Sequence, residues 1–199
     1  MSPTPDNTTL ILLCGGKSNR MNGLDKGLLL LREQAIYMQT LHRLKGQVAQ
    51  AIISANRNLG EYDKSGLRVI RDTLPDHHGP LAGLLAVMQQ IQTPWILTAP
   101  CDMPNLPLDL FQRFQRAALA ANLPQALVAF DGHRQQNLVC LLNKTVQPSL
   151  NDFVVSEQRA AHLWLEQLGV TRLDCSDIPE AFININTPEE LATIEKTYS

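Results

Sequence analysis

The sequence predicts an α/β fold with a mostly parallel sheet that helices cover on both faces. Short apolar runs alternate along the chain with longer segments of helical periodicity, and this alternation is typical of parallel strands joined by helices. The 199 residues and the hydrophobic content of 44% suit one globular domain. We therefore expect a single domain over residues 1–199, in which the polar residues 1–9 form a flexible lead-in.

Each predicted element has its own local signal. A short, largely apolar run predicts a buried strand, and the candidate strands occupy residues 10–13, 51–55, 67–70, 95–98, 126–130 and 139–142. Apolar residues at helical spacing predict helices over residues 35–47, 81–90, 108–122, 160–168 and 188–196.

The C-terminal part of the chain carries two further signals. Thr187 can cap the helix over 188–196. Pro at the first helical position and acidic residues in the first turn are further signals that the helix begins there. A late strand is predicted over residues 182–186, where polar and apolar residues alternate. This alternation places Asn184 and Asn186 on the same face, just before the capped helix.

Charge and composition exclude several classes of protein. Seventeen basic and 19 acidic residues give a net charge of −2, so nucleic acid is not an expected partner. No apolar run approaches the length of a membrane span, and the first residues lack the pattern of a signal peptide. The four cysteines are far apart and lack metal-site spacing. We therefore expect a reduced cytoplasmic protein that does not bind membranes.

A glycine-rich loop follows the first predicted strand. Gly15 and Gly16 let a ligand approach the backbone where a Cβ would clash, and exposed N–H groups can hold phosphate oxygens. Arg20 supplies a planar fork of donors, and Lys26 supplies a mobile point charge. The spacing matches neither the P-loop nor the dinucleotide fingerprint. The loop and its cations predict a nucleoside triphosphate site; the alternative is an ordinary glycine turn with solvated charges.

A single carboxylate, Asp102, follows the predicted strand 95–98 and lies between two prolines. Prolines fix the backbone of the loop and therefore hold the carboxylate in place. Mg²⁺ typically takes one or two carboxylates and completes its shell with phosphate and water. Asp102 is therefore a predicted Mg²⁺ ligand. The alternative is a cap for the helix over 108–122, for which Asn105 and Asp109 lie nearer.

Other polar residues and glycines lie where predicted strands end and helices begin. Because ligands of parallel sheets bind at the carboxyl edge, Ser54 and Asp72 are candidate binding residues there. Gly79 precedes an apolar helix whose N-terminus can face an anion or a base edge. Gly83 costs that helix about 1 kcal/mol relative to Ala. It indicates close approach of either a ligand or a packed strand.

Several blocks of the sequence together resemble the signature of the molybdenum cofactor guanylyltransferases. In chain order the blocks are Leu13-Cys14-Gly15-Gly16, Arg20-Met21, Gly23, Asp25-Lys26-Gly27, Asp72, Gly79-Pro80-Leu81-Ala82-Gly83, Pro100-Cys101-Asp102-Met103-Pro104 and Asn184-Ile185-Asn186-Thr187-Pro188-Glu189-Glu190-Leu191. The resemblance extends over most of the chain. Departures from the family pattern are Cys14 for Ala, Ser54 for Asn, and Gln136-Asn137 for His-Pro.

This resemblance implies a three-layer α/β/α nucleotidyltransferase fold and transfer of GMP from GTP to Mo-molybdopterin, with Mg²⁺ as cofactor. With the residues argued above, the expected catalytic set is Arg20, Lys26 and Asp102, and Asp102 also holds the metal. The expected GTP-binding set is Leu13, Cys14, Gly15, Gly16, Lys26, Ser54, Asp72, Gly79 and Asp102. Asn184 and Asn186 are expected on the pterin side.

Two alternatives stay open at this point. The first is a cytidylyltransferase or sugar-phosphate nucleotidyltransferase of the same fold, against which the Gly15-Gly16 pair and the long match favour guanine. The second is a nucleotide-binding partner without turnover, which the presence of Arg20, Lys26 and Asp102 disfavours. Besides GTP and Mo-molybdopterin, transient cofactor-delivery proteins and molybdoenzyme acceptors are expected partners.

Overall fold

A seven-stranded sheet forms the centre of the protein in a computed structural model that describes residues 1–14, 25–72, 79–185 and 190. In chain order the strands are β1 (Thr8–Leu13), β2 (Leu30–Leu31), β3 (Gln34–Ala35), β4 (Gln50–Ser54), β5 (Arg68–Ile70), β6 (Trp95–Pro100), β7 (Ala126–Phe130), β8 (Gln135–Asn143) and β9 (Thr171–Asp174). The order across the large sheet is β5-β4-β1-β6-β8-β7-β9, and β2 and β3 form a separate hairpin. Within the large sheet, the pairs that include β8 are antiparallel and the others are parallel, which confirms the mostly parallel sheet.

Helices cover both faces of this sheet and give three layers. The helices in the described ranges are α1 (Ile36–Leu44), α2 (Leu59–Asp63), α3 (Pro80–Met88), α4 (Leu110–Ala120), α5 (Gln147–Val155) and α6 (Ala161–Leu168). One core cluster contains residues of α1, α2 and α4 together with Leu10 and Leu12 of β1. The other contains residues of α3, α5 and α6 together with Ile11 and Leu13. Because both faces are covered, all of β1 is buried, and this explains its continuous apolar run.

α3 is buried along nearly its whole length because it contacts both the sheet and α5. Every residue of α3 after Pro80 is buried. Gly83 marks the closest approach to the sheet, since a Cβ at that position would collide with Oγ of Ser54 on β4. Of the two explanations for this glycine, the packed strand is therefore correct.

The sequence prediction located most elements and missed a few. α2, α5, the β2–β3 hairpin and β9 were not predicted; in β9 only Leu173 is buried, so that strand lacks an apolar run. The strand predicted over 182–186 is wrong, because a 3-10 helix ends at Phe182 and residues 183–185 are irregular. Ile185 is nevertheless fully buried, since it packs in a small cluster with residues of the β2–β3 hairpin and of α1. This contact, and not a sheet, accounts for the burial of Ile185.

The first residues of the chain contact the rest of the domain, and the helix expected near its C-terminal end stays a prediction. Residues 1–9, expected to form a lead-in, are hydrogen-bonded to the body: the indole of Trp95 donates to the Met1 carbonyl at 3.0 Å, and the amide of Gln115 donates to the Pro3 carbonyl at 2.8 Å. The helix predicted over 188–196 lies, except for Glu190, outside the described residues. None of the helices in the described ranges is long and apolar enough to cross a bilayer.

Candidate functional site

Polar residues gather along one edge of the sheet, where the parallel strands β5, β4, β1 and β6 end. Asp72 follows β5, Asn56 follows β4, Cys14 follows β1 and Asp102 follows β6. Three strand spacings of about 4.8 Å separate β5 from β6, so this part of the edge spans roughly 14 Å. Because it is the carboxyl edge of the parallel strands, it is where sheets of this kind bind ligands.

The charged pair of Lys26 and Asp102 lies at one end of this edge. The ammonium of Lys26 is 3.9 Å from Oδ2 of Asp102, and the Asp102 side chain is only 16% exposed. Among the described residues, no hydrogen-bond partner reaches its other oxygen, Oδ1, which is buried. Burial raises the pKa of Asp102, and the charge of Lys26 opposes that increase. A buried carboxylate with an oxygen left over suits the binding of a cation.

The backbone around Asp102 is held from two sides. The N–H of Cys101 donates to the Leu13 carbonyl at 3.0 Å, and the carbonyl of Asp102 accepts from the N–H of Ile185 at 3.0 Å. α4 begins after Asp109, which occupies its N-cap position. The alternative role of Asp102 as a helix cap is therefore wrong.

At the other end of the edge, Asn56 and Asp72 form a reciprocal pair. The amide nitrogen of Asn56 donates to Oδ2 of Asp72 at 2.5 Å, and the backbone N–H of Asp72 donates to Oδ1 of Asn56 at 3.0 Å. The pair joins the ends of β4 and β5. Sequence reasoning selected Ser54 at this strand end, but Ser54 is 5% exposed and its hydroxyl lies against Gly83. Its nucleotide contact stays a prediction.

Lys26 begins a short 3-10 helix, Lys26–Leu28, and Asp25 is the N-cap of that helix. The carboxylate of Asp25 is buried, with 7% of the residue exposed. It accepts hydrogen bonds from the N–H of Gly27, from the hydroxyl of Tyr62 and from the side-chain amide of Asn58. Sequence reasoning gave Asp25 no role, although its place next to Lys26 in the glycine-rich block was a signal.

Two thiols lie side by side at the ends of β1 and β6. Cys14 and Cys101 directly follow Leu13 and Pro100, which are paired in register. Burial, followed by the neighbouring Cys101 and Asp25, raises the pKa of the Cys14 thiol well above its ordinary value. Cys14 therefore stays protonated at neutral pH and lines the site as a small neutral side chain.

The remaining predicted site residues fall into two groups. Leu13 is the buried last residue of β1, and Gly79 precedes α3 with a φ of 81°, which favours glycine. Asn184 is half-buried and directly precedes Ile185, whose N–H donates to the Asp102 carbonyl. The predicted residues that lie outside the described ranges are Gly15, Gly16, Arg20 and Asn186.

Solved structures share this architecture across nearly the whole chain. A molybdopterin-guanine dinucleotide biosynthesis protein A from Archaeoglobus fulgidus superposes with a TM-score of 0.77 at 20% identity, over 96% of this chain and 98% of that one. A nucleotidyl transferase from Methanothermobacter thermautotroptrophicus superposes with a TM-score of 0.71 at 20% identity, over 96% and 97%. The expected three-layer fold with a mostly parallel sheet is thereby confirmed, and it is a fold that these proteins share.

Sequence comparison establishes first that the protein is a nucleotidyltransferase and then to which family it belongs. The profile of the MobA-like NTP transferase domain matches residues 10–172. A molybdenum cofactor guanylyltransferase from Shewanella loihica is 40% identical over 190 residues, which cover 96% of this chain and 95% of that protein. Another from Cupriavidus necator is 41% identical over 194 residues, with 96% and 97% covered. The chain belongs to the molybdenum cofactor guanylyltransferase family.

Proposed function

We propose that this protein transfers GMP from GTP to Mo-molybdopterin, which yields the guanine dinucleotide form of the cofactor and pyrophosphate. The observation that carries the proposal is the pairing of Lys26 with the half-buried Asp102 at the carboxyl edge of the sheet, 3.9 Å apart. Relatives that are 40% identical over nearly the whole chain and are named molybdenum cofactor guanylyltransferase support the choice of substrates.

GTP lies along the edge from β5 to β6 in this proposal. The roughly 14 Å between these strands suits an extended nucleotide, with its phosphates at the cationic end. Lys26 contacts the phosphates there, and the N–H groups of Gly15 and Gly16 provide further donors. Asp72, held by Asn56, binds the nucleotide at the far end, with Leu13, Cys14, Ser54 and Gly79 along the path.

Asp102 is the residue that would hold Mg²⁺. Its buried Oδ1 has no hydrogen-bond partner in the parts of the chain that the structure describes, so a carboxylate oxygen is available. Within those same parts, no group of three His, Cys, Asp or Glu side chains could hold a metal. This fits Mg²⁺, which completes its shell with phosphate and water. When bound, Mg²⁺ supplies positive charge that stabilises the phosphate oxygens.

The reaction needs positioning and charge more than a chemical group from the enzyme. The terminal phosphate of molybdopterin attacks the α-phosphorus of GTP in line, and pyrophosphate leaves. The phosphate nucleophile requires no general base, and the protonated Cys14 does not compete as a nucleophile. Lys26 and Arg20 stabilise the negative charge that develops on the pyrophosphate.

The pterin side of the site adjoins Asp102. Asn184 directly precedes Ile185, whose N–H binds the Asp102 carbonyl, so Asn184 lies next in the chain to a residue that contacts Asp102, at the end of the sheet edge away from Asp72. Asn186 completes this side in the proposal. The reaction is placed in the cytoplasm, where transient partners deliver molybdopterin and molybdoenzymes accept the product.

Thermal unfolding with Mg²⁺ and one nucleotide at a time is the first test. A ligand at 100 times its dissociation constant stabilises by about 2.7 kcal/mol. At roughly 2–4 °C per kcal/mol, the midpoint rises by several degrees with GTP. A larger shift with CTP would favour a cytidylyltransferase instead. Pyrophosphate release from GTP and Mo-molybdopterin under anoxic conditions then tests turnover, and binding without release would favour the non-catalytic alternative.

A further inference from the structure

We propose that Asp25 is a positioning residue whose buried carboxylate fixes the backbone of Lys26, so that the ammonium of Lys26 is presented beside Asp102. The proposal rests on the proposed function, because only that function gives Lys26 a substrate to contact. The role assigned to Asp25 is indirect: it acts through the geometry of the segment that follows it.

The first support is the number and source of the hydrogen bonds that Asp25 accepts. The Tyr62 hydroxyl donates to Oδ1 at 2.8 Å, the Asn58 amide donates to Oδ2 at 3.1 Å, and the Gly27 N–H donates to Oδ1 at 3.3 Å. A carboxylate that only caps a short 3-10 helix needs the last of these alone. The other two come from α2 and the residue before it, so Asp25 joins the Lys26 segment to a separate helix.

The donors are themselves held in place. Tyr62 is fully buried, and its ring meets that of Tyr37 edge to face with the centroids 4.8 Å apart. Burial, together with Cys101, Cys14 and Asp25, raises the pKa of Tyr62 far above its ordinary value, so the phenol keeps its proton and stays a donor. Asn58 has a left-handed backbone, with φ of 52°, which favours Asn over most residues.

The second support is the packing on the other side of the segment. A Cβ on Gly27 would lie 2.8 Å from the Tyr62 hydroxyl and 2.9 Å from Sγ of Cys101. Glycine is therefore required for the segment to fit between α2 and the end of β6. The Cys101 carbonyl in turn accepts from Thr40 Oγ1 of α1 at 3.2 Å.

These contacts hold both neighbours of Lys26 in fixed positions. Asp25 on one side is held by its hydrogen bonds and Gly27 on the other by its close packing, so the Cα of Lys26 has little freedom. Only side-chain torsions remain to be ordered when the substrate binds. This explains how a flexible lysine, 27% exposed, is held 3.9 Å from Asp102.

A double-mutant cycle separates positioning from general stability. The variants are Asp25→Asn, Lys26→Ala and the double variant, and the readout is kcat and KM for GTP in the GMP-transfer reaction. We expect Lys26→Ala to lower kcat/KM by about 10²-fold. We expect Asp25→Asn to lower kcat/KM by about tenfold when Lys26 is present, by analogy with the loss from a small misplacement. When Lys26 is already Ala, we expect Asp25→Asn to change kcat/KM by no more than about twofold.

Two further variants guard against a trivial result. Tyr62→Phe removes one of the hydrogen-bond donors to Asp25 and keeps the aromatic ring. If Asp25→Asn does not fold, Tyr62→Phe replaces it in the double-mutant cycle, and we expect a smaller loss of kcat/KM. Asp131→Asn is the matched control: Asp131 is also 7% exposed, and its carboxylate accepts from His133, Arg134 and Gln136 in the turn after β7. It should lower the melting temperature and leave KM for GTP unchanged.

The outcomes are distinguishable. Equal losses from Asp25→Asn in both backgrounds, or a KM change in Asp131→Asn of the same size, would overturn the positioning role while the proposed function stands. Normal kinetics in Lys26→Ala would overturn the role of Lys26, and with it both this inference and the site proposed for GTP. Loss of the Asp25 effect in the Lys26→Ala background supports the inference.

Discussion

The ammonium of Lys26 lies 3.9 Å from a carboxylate oxygen of Asp102, although the two residues come from a 3-10 helix before a hairpin and from the end of β6. The separation exceeds that of a direct hydrogen bond, so the two charges attract without closing on each other. This arrangement leaves Oδ1 of Asp102 buried and without a hydrogen-bond partner in the described ranges. The charge on Asp102 is therefore costly to the fold, which agrees with the cation-binding role proposed for it.

Replacing Asp102 by Asn should make the protein more stable and less active. Burial raises the pKa of Asp102, so the folded state disfavours its charged form. The loss in the free energy of unfolding that this charge causes is absent below the ordinary pKa of 3.8 and complete above the raised pKa. Asp102→Asn should therefore raise the melting temperature at neutral pH, and the difference should vanish on acidification.

The same variant should lower turnover by about 10²-fold or more, by analogy with loss of one preorganised charge contact. It should also lose the stabilisation that Mg²⁺ with GTP gives the natural protein. Melting curves across pH, with and without Mg²⁺, check both points. A lower melting temperature at neutral pH would show that the charge of Asp102 stabilises the fold after all.

Replacing Gly83 by Ala should destabilise the protein by about 1–3 kcal/mol, the typical cost of overpacking. The added Cβ would collide with Oγ of Ser54. Ser54→Ala in the same chain should recover most of the loss, because the Cβ of Ser54 would then lie at an ordinary 3.5 Å. Urea unfolding measures the three variants, and Gly60→Ala, where nothing lies within 4 Å, is the matched control. Equal costs at Gly60 and Gly83 would contradict this explanation.

Replacing Asn56 by Ala should weaken GTP binding by roughly tenfold, the order expected for one lost hydrogen bond to a charged group. The change removes both contacts that hold Asp72 at the end of β5. Calorimetric titration with GTP measures the effect. Asn143→Ala is the control, since Asn143 bonds Thr145 at the opposite edge of the sheet and should affect stability alone. Unchanged GTP affinity in Asn56→Ala would argue against a role for Asp72.

The charge of Asp131 should stabilise the folded protein at neutral pH, whereas the charge of Asp102 should destabilise it. Burial alone would raise the pKa of Asp131, but hydrogen bonds from the N–H groups of Arg134 and His133 and from the amide of Gln136 outweigh it and lower the pKa. Its contribution is therefore present above the ordinary value of 3.8 and is lost as pH falls through the lowered pKa. Melting curves of Asp131→Asn should show a deficit at neutral pH that shrinks on acidification. A deficit that is constant with pH would mean that the charge is not involved.

Much of the architecture was predictable because the sheet is covered on both faces. A strand that is covered on both sides is mostly apolar, so β1, β4 and β6 are visible in the sequence as short, largely apolar runs. The polar residues that follow these runs must then meet at one edge, which is how Asp72 and Asp102 were found. β9 was not predicted because an edge strand with one buried residue has no apolar run.

By itself the sequence determined the alternation of strands and helices, the carboxyl-edge residues and, through its blocks, the family. These follow from local periodicity and from residue types, which are present in the chain before it folds. Only the tertiary structure decided what each of those residues contacts. Gly83 packs on Ser54, Asn56 holds Asp72, and Tyr62 reaches Asp25. Such contacts join residues distant in the chain, and they depend on how helices lie on the sheet, which no local pattern specifies.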